Sequence, residues 1–65
     1  MTIKALRQSA GMTWLHFAKL LHVSVSTVAR WESGKCKPGM KAFARIEKVF
    51  GKETAISLMQ EYFKE

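Results

Sequence analysis

Apolar side chains recur three and four residues apart in five short stretches of the chain, the spacing that lines one face of an α-helix. In the first, Ile3, Leu6 and Arg7 share a face behind Thr2, whose hydroxyl suits a helix cap, and Gly11 supplies a left-handed residue to end it. The second runs from Trp14 to about Leu21, with Leu15, Ala18 and Leu21 directed inward; Ala18 is small where a neighbouring helix must come close. Val28 and Trp31 mark the inward face of the third, from Val25 to about Ser33, and Gly34 terminates it. Its outer face is Val25, Ser26, Ala29 and Arg30. After the loop Lys35-Cys36-Lys37-Pro38, a fourth stretch from about Gly39 to Phe50 sets Ala42, Phe43, Ile46, Val49 and Phe50 at helical spacing, and Gly51 stops it. The fifth, Glu53 to Lys64, carries Ile56, Met59 and Phe63 on one face with Leu58 and Tyr62 beside it. These stretches predict a single all-α domain over residues 1–65, with no repeat, linker or low-complexity segment.

Helices two and three are separated by only three residues, and both carry their own start signals. Thr13 and Ser24 each offer a side-chain oxygen to the unpaired amides of the following first turn. Each cap is also stapled. Met12 precedes Thr13 and Phe17 stands at the fourth helical position; Val23 and Val28 have the same relation to Ser24. Two stapled starts so close together fix two short helices at a steep angle, the mark of a helix-turn-helix over about residues 13–34. The turn between them requires positive φ at His22, a residue type enriched in that region at some cost.

Charge sharpens this picture. The 65 residues carry a formal net charge of +6. In residues 1–45, eight Lys and Arg (Lys4, Arg7, Lys19, Arg30, Lys35, Lys37, Lys41, Arg45) face one acid, Glu32, whereas residues 46–65 hold three bases and four acids. The positive excess is thus confined to the part that carries the helix-turn-helix, the footprint of a polyanion binder. A composition 48% hydrophobic supports a compact core, and one cysteine excludes an internal disulfide and a Cys-cluster zinc site. No apolar run approaches the ~20 residues that span a bilayer, and the N-terminus lacks the order of a signal peptide. The expected setting is reduced and cytoplasmic, with no membrane partner. His16, His22 and Cys36 form no metal or catalytic constellation: there is no second Cys, no His pair at i, i+4 and no carboxylate near the histidines in sequence. No cofactor and no enzymatic activity are expected.

The window resembles the lambda-repressor-like family of DNA-binding domains, also called Cro-like or xenobiotic-response-element type. Its course reads here as Arg7, Gly11-Met12-Thr13, Ala18, Val23-Ser24, Trp31-Glu32-Ser33-Gly34 and Pro38, and the resemblance spans roughly residues 3–50. Three positions depart from the family: Trp14 replaces a usual Gln, His16 a Glu that would complete a capping box, and His22 the usual Gly. The resemblance implies a compact five-helix domain whose second motif helix enters the major groove of double-stranded DNA. It assigns base contact to Val25, Ser26, Ala29 and Arg30. Of these Arg30 is the long donor suited to guanine O6 and N7, Val25 and Ala29 suit a thymine methyl, and Ser26 is permissive. Helix starts and nearby cations nominate Thr13, Trp14, Ser24, Lys35, Lys37 and Lys41 for phosphate contact, with the indole N–H of Trp14 standing in for the amide donor of Gln. By the same resemblance Arg7 and Glu32 form a structural ion pair tying the first helix to the third.

Family members commonly bind as symmetric dimers. The drop in charge after Arg45 favours an interface away from DNA, in the C-terminal half of the chain, with Phe50, Met59, Tyr62 and Phe63 as candidates that alternatively complete the monomer core. Together these features point to a site-specific DNA-binding regulator, a short Cro-like repressor acting as a homodimer on a palindromic operator. Two other readings remain: an antitoxin that binds a toxin partner through the C-terminal helix, and a protein-interaction module that keeps the fold without reading DNA.

Overall fold

The computed structural model describes residues 1–63, and within them the chain forms five helices: α1 (Ile3–Ser9), α2 (Trp14–Leu21), α3 (Val25–Ser33), α4 (Met40–Phe50) and α5 (Lys52–Phe63). Among the described residues there is no strand, and no helix is long and apolar enough to cross a membrane. The expected continuation of α5 to Lys64 lies outside the described residues.

The starts of the first three helices are built as their hydroxyl residues suggest. Thr2 Oγ1 accepts from the Ala5 amide at 3.1 Å, Thr13 Oγ1 from the His16 amide at 3.1 Å, and Ser24 Oγ from the Thr27 amide at 3.1 Å. Each such cap contributes about 1 kcal/mol by satisfying an amide that the helix itself leaves unpaired. Between α2 and α3, His22 adopts φ 57° and ψ 42°, and Gly34 closes α3 at φ 82°. The His22 amide donates to the Ala18 and Lys19 carbonyls, so the left-handed residue ties off the end of α2 before Val23 and Ser24 begin the next helix.

The core is one cluster drawn from all five helices: Ile3, Leu6, Phe17, Ala18, Leu21, Val28, Trp31, Ala42, Phe43, Ile46, Ala55 and Leu58. Met12 and Val23 are half-buried against it, in the staple positions that precede the caps of α2 and α3. The most extensive helix pairing is α4 with α5, followed by α2 with α3.

Four of the apolar positions read at helical spacing lie outside. Leu15 is 55% exposed, because α2 turns Phe17, Ala18 and Leu21 inward and Leu15 stands off that arc. Val49 is 44% exposed on α4, where Ala42, Phe43 and Ile46 define the buried side. In α5 the buried residues are Ala55 and Leu58, which turns Ile56 (44% exposed) and Phe63 (54% exposed) outward. Ala55, with only a methyl group, lets α4 and α5 approach closely; a larger residue at that place would hold them apart.

Candidate nucleic-acid interface

The orientation of α3 is fixed from behind by one carboxylate. Arg7 Nε donates to Glu32 Oε2 at 2.7 Å and Nη2 donates to Oε1 at 3.2 Å, a forked pair across 25 residues of sequence. The third arm of the guanidinium, Nη1, donates to the Met12 carbonyl at 2.9 Å. Arg7 therefore links the end of α1, the turn into α2 and the end of α3. The hydrogen bond to Glu32 is the main cause that holds the guanidinium above its ordinary proton affinity; desolvation opposes this and the carboxylate charge adds to it.

Trp14 joins the same node. Its indole Nε1 donates to Glu32 Oε1 at 3.2 Å. The donor nominated for a phosphate is thus directed at a carboxylate inside the protein, although the ring itself remains 44% exposed. A signal for this was present in the sequence, because Glu32 is the only acid in residues 1–45 and so the only carboxylate that part of the chain offers to a donor. Pairing at helical or motif spacing does not reveal it, since Trp14 and Glu32 lie 18 residues apart.

In front of this support stands the outer face of α3. Ser26 and Arg30 are exposed, Ala29 is partly exposed, and Val25 is half-buried and packed against the core. Only two of the four nominated base-contact side chains therefore stand fully clear of the domain. Val25 spends much of its surface on holding α3 in place. Ser24 is occupied at the helix start, its hydroxyl 2.9 Å from that of Thr27 in addition to the amide it accepts from.

Thr13 caps α2 in the same way and is exposed, as are Lys35, Lys37 and Lys41 around the following loop. The loop is anchored where it leaves α3, since the Lys35 and Cys36 amides both donate to the Arg30 carbonyl, at 3.0 and 3.3 Å. It is anchored again by Pro38, which is fully buried. Lys37 extends over the ring of Phe63, its Nζ 5.8 Å from the centroid.

The four residues nominated for a dimer interface divide. Phe50 is packed against the core, its ring 6.1 Å from that of Phe17. Tyr62 is likewise half-buried, and its hydroxyl accepts from the Ile3 amide at 3.0 Å, satisfying a donor at the start of α1. Both are thus engaged within the chain. Met59 is half-buried and Phe63 exposed, with one edge-to-face contact to Phe43 at 5.6 Å. Ile56, exposed beside them, and Met40, 73% exposed at the start of α4, extend the apolar surface that remains. Met40, Ile56 and Met59 border a groove between α4 and α5 that has Phe43 and Ala55 in its walls and Glu47 and Lys52 beside them.

A family model described as helix-turn-helix matches residues 3–56 of the chain. No match was found among the curated proteins or among the solved structures.

Proposed function

We propose that this chain, which belongs to the helix-turn-helix family of the XRE/Cro/C1 type and has the DNA-binding domain of that family, is a transcriptional repressor that occludes a promoter as a homodimer. The family is typically non-catalytic. The observation that carries the reading is the outer face of α3, where Ser26 and Arg30 stand exposed on a helix clamped from behind by Arg7 and Glu32. A rigid helix with a free guanidinium can present a fixed fork to guanine, and rigidity is what converts a contact into discrimination. Lys35, Lys37 and Lys41 flank that face and supply phosphate contacts that set the register. The amides of the first turns of α2 and α3 supply more.

For the second copy, the strip Ile56, Met59 and Phe63 with Met40 offers the apolar surface that the monomer leaves uncovered. A specific interface takes about 800 Å² from each partner, which would be nearly a fifth of the 4442 Å² that this domain exposes. The dimer is therefore weak in solution and completed on DNA, with its two recognition helices ~34 Å apart on half-sites one turn apart.

Selection of bound genomic fragments at moderate salt, followed by footprinting, tests the whole reading: a palindromic footprint supports it, and no selected site refutes it. On the selected site, Arg30→Ala should weaken specific binding by about 1 to 3 kcal/mol and relax choice at one base pair per half-site. Lys37→Ala should weaken all sequences alike. Equal loss of specific and non-specific affinity in both variants would remove Arg30 from base readout. Co-purification of a small partner enzyme on the α5 strip would favour the antitoxin reading instead.

A further inference from the structure

One exposed face of α4 carries three cations, Lys41, Arg45 and Lys48, at i, i+4 and i+7, with Glu47 exposed on the neighbouring face. All three are exposed, and they border a shallow depression whose remaining lining residue is Ala44. The buried face of the same helix is Ala42, Phe43 and Ile46, so the three cations lie off the side that meets the core. Among the described residues none of them enters an ion pair, the two recorded being Met1 with Glu61 and Arg7 with Glu32. The acid of α4, Glu47, lies off this face, along the groove shared with Lys52 of α5, and Ala44 separates the two surfaces.

Like charges three and four residues apart oppose helix formation, so a solvated α4 gains nothing from this arrangement. A polyanion would relieve it. A single phosphate is a poor match, because the depression is open and offers long mobile cations rather than converging buried donors. A line of phosphates is a good one. Lys41 and Lys48 are about 10 Å apart along the helix, and a duplex carries one negative charge per about 1.7 Å of its axis. The face also continues the cationic series of Lys35, Lys37 and Lys41 that follows the recognition helix.

We infer that Arg45 and Lys48 prolong the phosphate contact of the loop after α3 along the outer face of α4, holding duplex backbone beyond the reach of the recognition helix. This rests on the DNA-binding reading above. It makes α4 a second grip on DNA, blind to sequence, which lowers the escape rate from any site that α3 reads.

The test is binding of a fluorescent duplex of about 30 base pairs, followed by anisotropy between about 50 and 200 mM salt. The protein is compared with the double variant Arg45→Gln/Lys48→Gln and with Lys4→Gln/Lys19→Gln, which removes the same charge elsewhere. Glutamine keeps helix propensity, and circular dichroism confirms the fold. Losing two phosphate contacts lowers the slope of log affinity against log salt by about 1.8, so over that fourfold range the α4 variant should lose about 12-fold less affinity than the parent. The control pair should follow the parent. An unchanged slope for the α4 variant, or an equal change in the control, overturns the second grip while leaving DNA binding by α3 intact. A parent protein without salt-dependent binding overturns both.

Discussion

His22→Gly should make this protein more stable without altering what it binds. The residue sits at φ 57° and ψ 42°, near the centre of the left-handed region, and is exposed. For an L-residue with a Cβ that conformation costs about 1–2 kcal/mol through the crowding of Cβ against the following carbonyl. Glycine has no such cost, but returns about 0.5–1 kcal/mol because its unfolded chain is more mobile. The net gain is about 0.5–1 kcal/mol. The two backbone hydrogen bonds from the residue 22 amide to Ala18 and Lys19 survive the change, since glycine keeps the N–H. With an unfolding entropy of about 2.1 cal/mol/K per residue, a chain of 65 residues converts this gain to a rise of about 4–7 °C in melting temperature.

The assay is thermal unfolding by circular dichroism at fixed protein concentration, because association would otherwise shift the midpoint. His22→Val is the companion variant. A β-branched residue tolerates positive φ worse than histidine and should melt below the parent. Affinity for DNA, measured well below all three midpoints, should stay within about twofold, since the angle between α2 and α3 is set by the turn conformation and not by the imidazole. A glycine variant that melts no higher than the parent, or a valine variant equal to it, would show that the turn stores no backbone strain at this residue.

Two other outcomes follow from the site. Arg7→Ala and Glu32→Ala should each destabilise the fold by stranding the opposite charge, and the double variant should lose less than the singles added; strict additivity in chemical unfolding would show that the forked pair carries no coupling. Ile56→Lys or Met59→Lys, folded by circular dichroism, should lower affinity for a full palindrome by about tenfold or more while leaving an isolated half-site unchanged, and an unaltered ratio of the two excludes this strip as the interface.

The backbone of the motif was readable because its signals are local and mutually consistent. Thr2, Thr13 and Ser24 cap the helices that follow them, and the left-handed turn falls at His22 despite the missing glycine. Side-chain direction was harder. In a helix of eight residues, Leu15-Ala18-Leu21 and Phe17-Ala18-Leu21 are both acceptable apolar arcs, and only the position of α3 and α4 decides for the second. The same ambiguity sent Ile56 and Phe63 outward, because Ala55 and Leu58 form the face that lets α5 come closest to α4. Spacing along one helix cannot weigh a small residue that closes a gap against a large one that fills it. Contacts across the chain were less legible still: nothing local connects Tyr62 to the Ile3 amide or Lys37 to the ring of Phe63.

The handling of Glu32 explains how one domain can be both tightly held and strongly basic. A carboxylate on the face that meets DNA would repel phosphates, yet α1, α2 and α3 need a polar partner shared between them. Placing a single acid at the end of α3, with its side chain only 6% exposed, serves that need. Arg7 takes both of its oxygens and Trp14 adds a further donor to one of them. The negative charge is thereby compensated within hydrogen-bonding distance, so a phosphate several ångströms away meets a pair of no net charge. The cations that enter no ion pair among the described residues, Arg30 on α3 and Lys35, Lys37 and Lys41 beyond it, then stand exposed to solvent. Using Arg rather than Lys as the partner matters here. A planar fork fixes the direction of the carboxylate as well as its distance, so the same contact that neutralises Glu32 also sets the angle at which α3 is presented.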